Sequence, residues 1–365
     1  MAKDTKFDEK KMMKHLDKYS FKRPEKDEDG AIITPKYKTG IFYIDLMLKG
    51  GLPQGKVVGL SSEEGGGKTT VLMQACGKVV QYYPGKKAYY LDIEGGATYE
   101  LWDAMGLTHL LYDEEDNPEG PIKLLQVETI QDVGLWINMV SKDPDTALII
   151  VDSTTFTADE RDMEDEFLGT GKNAAAKSAR MWSGALPAIN ATIKRSNACL
   201  ILIHQARTDL SGFHVTTKSS GGRAAKHAAS VEIFGKKKLY IGEGNVTEIK
   251  GAKVKKEEAI GVMLELATTK NRLGLPFRKY TLPVIFGKGV SNLWAYKDWL
   301  FENDQYDPAT GEIKPCIITK DKSSWFTVDL PFLQQKVQGE PAVWELVKEH
   351  ITEIKAFIEE QVNLR

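Results

Sequence analysis

Six residues, Gly65-Gly66-Gly67-Lys68-Thr69-Thr70, restrict the possible folds of this chain more than any other stretch. They follow an apolar, β-prone run at 56–60 and precede a helical run, VLMQACGKVVQYY. Strand, glycine-rich loop and helix in that order build a phosphate cradle. Glycines permit a tight wrap, backbone N–H groups and the positive end of the helix face a β-phosphate, and Lys68 spans the β- and γ-phosphates. The Thr69 hydroxyl can hold Mg²⁺. The expected nucleotide-binding loop is therefore Glu64, Gly65, Gly66, Gly67, Lys68, Thr69 and Thr70. The pattern GxxxxGK[ST] asks for glycine where this chain has Ser62; serine fits many turn conformations, so a working loop of slightly altered backbone is expected.

A loop of this kind belongs in an α/β core, and the rest of the sequence agrees. Short apolar runs at 56–60, 88–93, 122–127, 147–151 and 199–203 alternate with helical patterns, which predicts a mostly parallel sheet buried on both faces. Runs at 230–234, 262–268 and 280–285 follow one another through turns, with the charged segment 236–258 between the first two, and predict an antiparallel extension with a long exposed hairpin. Before the core, 7–18 can form a short helix that leads into a polar linker; after 289 the chain turns aromatic-rich, ending in a helical pattern at 343–362. The expected organisation is an arm over 1–36, an ATPase core over 37–289 and a small C-terminal α+β domain over 290–365.

Two further strand ends carry chemistry. The run LIIVD ends in Asp152, placed to orient the waters of Mg²⁺, and YYLDIE ends in Glu94, a candidate for polarising an attacking water; Asp92 competes with Glu94 and has a simpler use as a strand-end cap. Either Tyr99 or Trp102 could stack on an adenine base.

From about 37 to 289 these residues resemble the RecA family, bacterial RecA and its phage UvsX-type relatives included, as do Thr39-Gly40 to Asp45 and Gly50-Gly51-Leu52-Pro53-Gln54-Gly55-Lys56 ahead of the loop. The resemblance implies a RecA-like core in which Glu94 activates water and Gln205, in Ile203-His204-Gln205-Ala206-Arg207, senses the γ-phosphate. It implies that Lys270 and Arg272 reach a neighbouring subunit's ATP, with arginine in place of the family's second lysine. It also implies two DNA-binding loops. The second spans 208–220 and closes on Gly221-Gly222-Arg223, with Arg207, Phe213 and Lys218 suited to stacking and phosphate contact. The first lies in about 159–177, ahead of the helix bearing Arg180. Its acidic run at 159–166 repels phosphate, so contact falls to Lys172, Lys177 and Arg180.

The implied activity is ATP-dependent strand exchange: self-association into a helical filament on single-stranded DNA, sampling of homologous duplex, and hydrolysis of ATP with Mg²⁺ between subunits. A RecA-fold ring helicase and a non-catalytic mediator are the alternatives, against which the Gly221-Gly222 junction, the Lys270/Arg272 pair and an intact hydrolytic set count. The net charge of −2 confines any DNA contact to local basic clusters. Three cysteines without a CxxC pair indicate neither a disulfide framework nor zinc and fit a reducing cytosol, and no apolar run approaches the roughly 20 residues a bilayer requires.

Overall fold

The computed structural model describes residues 26, 34–63, 65–154, 174–209, 216–219, 228–242, 256–303, 305–306, 313–314 and 317–363. Residues 1–35 and 36–365 form two compact units, and the elements below belong to the second. The expected helix at 7–18 lies outside the described residues.

The chain opens with the short pair β1 (Lys36–Tyr37) and β2 (Leu52–Pro53), which flank α1 (Phe42–Met47). There follow β3 (Lys56–Ser62), α2 (Lys68–Tyr82), β4 (Lys87–Asp92), α3 (Tyr99–Ala104), β5 (Ile122–Gln126), α4 (Ile130–Val140), β6 (Thr146–Asp152) and α5 (Ala174–Ile193). Next come β7 (Cys199–Asp209), β8 (Thr216–Ser219), β9 (Val231–Gly242), β10 (Ala259–Asn271), β11 (Lys279–Ile285) and β12 (Gly289–Val290). One sheet runs β12-β11-β10-β9-β3-β7-β6-β4-β5, with β8 hydrogen-bonded to β7. The six strands from β9 to β5 are parallel, while β10, β11, β12 and β8 are antiparallel to their neighbours.

The parallel part is apolar on both faces because both are covered. Every residue of β6 is buried. Val58, Leu60, Tyr90, Ile150 and Ile201 join Val71, Leu72 and Val79 of α2 in one core. Val57, Leu91, Ile149, Val151, Leu200 and Leu202, one residue out of phase, meet Val133 and Ile137 of α4 and Trp182, Leu186 and Ile189 of α5 in the other. Alternation along the strands thus divides a continuous hydrophobic run between two layers.

Two segments differ from the sequence-based expectation. The strand predicted at 199–203 continues to Asp209, where threonine-rich β8 pairs with it, Arg207 opposite Lys218 and Thr208 opposite Thr217; β-branched residues favour the extended backbone. The helix predicted at 343–362 is two helices, α7 (Glu340–Glu349) and α8 (Ile351–Asn363), because His350 leaves helical geometry at φ −107° and ψ 25°. Preceding them are α6 (Asn292–Glu302), the pair β13 (Gln305–Tyr306) and β14 (Ile313–Lys314), and an antiparallel sheet of β15 (Ile318–Lys320), β16 (Trp325–Leu330) and β17 (Leu333–Gln338). The alternation of β16 buries Phe326, Val328 and Leu330, which join Trp299, Leu300, Val343, Val347, Ile354 and Ile358 in the same core as α2. Among the described residues no helix is long and apolar enough to cross a membrane.

The contact between α6 and α1 carries a pH signature. The Tyr43 hydroxyl donates to Asp298 Oδ2 at 2.6 Å and Asn292 bridges Phe42 N and Gly40 O. Burial pushes the Asp298 carboxyl up to about 6, against the pull of the Tyr43 hydrogen bond and with help from nearby Glu302. The folded chain therefore holds a proton that an unfolded chain, with an ordinary value of 3.8, gives up. That stabilisation is complete below the unfolded value and is lost as pH rises through the folded one. Urea midpoints measured at about pH 5 and about pH 7 are expected to show a smaller acid gain for Asp298→Asn than for the parent chain.

Candidate active site

The carboxyl ends of β3, β6 and β4 converge, because a parallel sheet delivers all its strand ends to one edge. Gly67 caps α2 in the left-handed region at φ 80°, and a side-chain carbon there would come within 2.7 Å of Val284 Cγ1, so the entry to the helix admits only glycine without strain. The first two turns of α2 carry Lys68, Thr69 and Thr70. The Lys68 ammonium donates to the carbonyls of Glu63 at 3.0 Å and Ser62 at 3.4 Å, folding back over the loop. Glu64 is outside the described residues.

Ser62, the departure from the usual loop pattern, is fully buried and donates to Glu63 O at 3.0 Å. Its hydroxyl lies 2.7 Å from where a side chain on Gly66 would begin, and its Cβ lies 3.0 Å from the corresponding point on Gly235. Two glycines, one in the loop and one on β9, make room for the serine.

At the end of β6, Asp152 Oδ2 accepts hydrogen bonds from Thr69 Oγ1 at 3.0 Å and from the Tyr90 hydroxyl at 2.7 Å. Burial raises the Asp152 carboxyl above its ordinary value; Glu94 and Asp92 add to the rise, and the Tyr90 and Thr69 hydrogen bonds oppose it. A buried carboxylate with a second acid nearby favours an approaching cation, and a hydroxyl oxygen beside it completes a pair of hard oxygen donors of the kind Mg²⁺ takes. Among the described residues no cluster of three or more His, Cys, Asp or Glu could hold a metal alone. The donor set thus fits a Mg²⁺ that shares its coordination with phosphate and water.

Glu94 is tied to the same strand end. Its N–H donates to Asp152 O at 3.2 Å, and Glu94 Oε1 accepts a hydrogen bond from the Ser153 hydroxyl. Asp92 is instead spent on the turn after β4, accepting from the N–H groups of Gly95, Gly96 and Ala97 at 3.0, 3.3 and 2.9 Å. The strand-end cap is therefore the role Asp92 fills, and Glu94 takes no part in it.

The other expected residues fall into separate places. Gln205 lies opposite Ser62 in the parallel register of β7 and β3, so its backbone flanks the loop. Lys270 and Arg272 stand apart, on the far side of β9 from β3: the Lys270 ammonium donates to Ala229 O at 2.5 Å, and Arg272 is exposed. Burial and the Arg272 charge lower the pKa of Lys270, while Glu232 opposes. Arg180 is exposed on α5, Lys177 is on the same helix, and Arg207 and Lys218 are backbone partners in the β7–β8 ladder. Lys172, Phe213, Gly221, Gly222 and Arg223 lie outside the described residues.

One expectation is overturned. Trp102 is fully buried with its ring edge-on to Tyr90 at 6.0 Å, so it offers no face to a base, whereas Tyr99, the first residue of α3, is 64% exposed. Residues three apart lie on neighbouring parts of one helix face, so spacing does not separate the two aromatic residues and only their burial does. Sequence reasoning also missed Tyr90, Ser153 and Lys237. The Lys237 ammonium lies 4.0 Å from where a side chain on Gly65 would begin, because β9 continues two residues past the Ser62–Gly235 pair on the loop's face. Only the strand register reveals that neighbour.

The sequence profile of the RecA N-terminal domain matches residues 10–291. Protein RecA of Synechocystis sp. is 25% identical over 328 residues, covering 89% of this chain and 80% of that protein. Protein RecA of Acinetobacter baylyi is 26% identical over 332 residues, covering 89% and 82%. A crystal structure of the RadB recombinase aligns with 70% of this chain and 98% of its own at 20% identity and a TM-score of 0.46.

The burial difference between the two aromatic residues is open to direct test. Stacking of a base on an aromatic ring contributes about 1–3 kcal/mol, so Tyr99→Ala is expected to weaken Mg²⁺-ATPγS binding about tenfold or more in a calorimetric titration. Trp102→Phe is expected to lower the melting temperature and leave the dissociation constant unchanged.

Proposed function

The chain belongs to the RecA family, and on that premise we propose that it is an ATP-dependent strand-exchange protein that assembles as a helical filament on single-stranded DNA and hydrolyses ATP between subunits. The observation that carries the reading is the meeting of Thr69, Asp152 and Glu94 at adjoining strand ends beside Lys68. Lys68 binds the β- and γ-phosphate oxygens, Thr69 and Asp152 hold Mg²⁺, and Glu94 orients the attacking water and takes its proton. The metal, when bound, neutralises phosphate charge. Tyr99 stacks on the adenine. Gln205, whose backbone flanks the loop, reports the γ-phosphate to β7 and the DNA loop beyond it.

In this reading Lys270 and Arg272 act on a neighbouring subunit's nucleotide, which is consistent with their distance from the chain's own loop across β9. Lys172, Lys177, Arg180, Arg207, Phe213, Lys218 and Arg223, with the hinge at Gly221 and Gly222, contact DNA through its backbone and so bind without sequence preference. Homologous duplex is then tested by base pairing.

The protein incubated with single-stranded DNA, ATP and Mg²⁺ is expected to form helical filaments by electron microscopy and to exchange strands with homologous duplex; closed rings that unwind DNA without exchange would instead identify a helicase. Glu94→Gln is expected to retain ATP-dependent DNA binding and to lose turnover by about 10²-fold or more. A mixture of Lys68→Ala and Lys270→Ala chains is expected to recover ATPase activity that neither has alone, since each supplies the half-site the other lacks; no recovery would argue against shared sites.

A further inference from the structure

The last residue of β6 and the two that follow it point in three directions. Asp152 faces Thr69 and Tyr90, Ser153 faces Glu94, and Thr154 turns away from the nucleotide side into the second core. The β6–β7 ladder ends at the pair Val151–Leu202. Beyond it Thr154 ties the two strands: its N–H donates to Ile203 O at 2.9 Å and its hydroxyl donates to the same carbonyl at 3.0 Å. With that proton committed, the 2.6 Å contact between Thr154 Oγ1 and His204 Nδ1 is one in which the imidazole donates. Trp182, on α5, closes the set by donating from Nε1 to Thr154 O at 3.0 Å.

All three residues are buried: His204 is 2% exposed, and Thr154 and Trp182 are 4%. His204 occupies the position on β7 where the alternation Leu200, Leu202 would put another apolar side chain into the core. A polar ring costs free energy there unless it is hydrogen-bonded, and Thr154 supplies the bond. The result joins three segments of separate origin: the strand end that bears Asp152, the strand that leads into Gln205, and the helix that bears Arg180.

We propose that Thr154, His204 and Trp182 form a buried clamp that positions Gln205 relative to Asp152 and Glu94, with His204 as the positioning residue and Trp182 as its optical reporter. Gln205 follows His204 directly, so fixing the His204 ring fixes the backbone that carries Gln205. Thr154 is two residues from Asp152 and one from Ser153, so the same clamp sets where the strand end that carries the hydrolytic carboxylates lies against β7. A nucleotide that shifts Asp152 or Gln205 must pass through this contact, and α5 registers the shift through the indole N–H. The inference rests on the ATPase reading above, and its partner groups lie within one chain.

The test uses the full chain. Trp182 emission is isolated as the difference between the parent and Trp182→Phe, with and without Mg²⁺-ATPγS, and turnover is measured with single-stranded DNA over a range of ATP. The parent is expected to show a nucleotide-dependent change in that emission. His204→Leu and Thr154→Val are each expected to lower kcat about tenfold with KM for ATP unchanged, to lose the emission change, and to combine in the double variant with no further loss, as members of one unit do. His204→Asn, whose side-chain amide can donate from the place of Nδ1, is expected to restore most of both signals. Wild-type kcat and emission in His204→Leu would overturn the clamp, as would additive losses in the double variant. Should His204→Leu or Thr154→Val unfold, His204→Asn and Trp182→Phe decide: a His204→Asn chain that is folded, binds nucleotide and shows neither signal would also overturn it. Failure of the parent to hydrolyse ATP would defeat the functional reading alone, because the emission change requires only bound nucleotide; bound nucleotide without an emission change in the parent would defeat the clamp.

Discussion

The carboxylate of Asp152 is the point on which the candidate site depends. It ends a strand with every residue buried, and it reaches across the sheet edge to Thr69 while the Tyr90 hydroxyl holds it from the neighbouring strand. Three elements, α2, β4 and β6, thereby meet at one oxygen atom, Asp152 lying 83 residues from Thr69 and 62 from Tyr90. Without a cation nearby such a group is costly to keep ionised, which is why burial raises its pKa and why a hydroxyl on each side is needed to hold it in place. The two acids beside it are divided in use. Asp92 is consumed by three backbone N–H groups, and Glu94 keeps an exposed position fixed through Ser153.

The phosphate loop shows how a departure from a pattern is absorbed. Ser62 carries a side chain where the pattern has none, and the space is found at Gly66, where a Cβ would clash with its hydroxyl, and at Gly235, where a Cβ would press tightly on its Cβ. Close packing leaves little slack at such a point, so the exception at one position is matched by glycine at two others. The same strand register that sets Gly235 beside Ser62 carries Lys237 up to the loop, adding a cation to the outer wall of the site.

The C-terminal region follows the same logic on a smaller scale. Its three-stranded sheet and helices contribute Phe326, Trp299, Val343 and Ile354 to the apolar core shared with α2, and the part-buried hydrogen bond between Tyr43 and Asp298 ties α6 to α1. Membership of the RecA family rests on residues 10–291, and this region lies almost wholly beyond them.

Much of the architecture was legible in the sequence because burial on both faces writes itself as uninterrupted apolar runs, and because the glycine loop, Asp152 and Glu94 sit at strand ends whose position relative to one another is fixed by any parallel sheet. Local chemistry determined Gly67, Lys68 and Thr69 in the same way, since only that order of residue types gives a helix N-terminus open to phosphate. What the sequence left open was whatever depends on which face of an element meets its neighbour. Tyr99 and Trp102 are alike as letters, and only the packing of α3 shows that one is exposed and the other lost in the core. Asp92 and Glu94 are alike as acids, and only the turn after β4 shows that Asp92 is engaged by backbone N–H groups. Tyr90, Ser153, His204 and Lys237 gain their roles from partners 62, 59, 50 and more than a hundred residues away in the chain, contacts that register and close packing create and that no local pattern encodes.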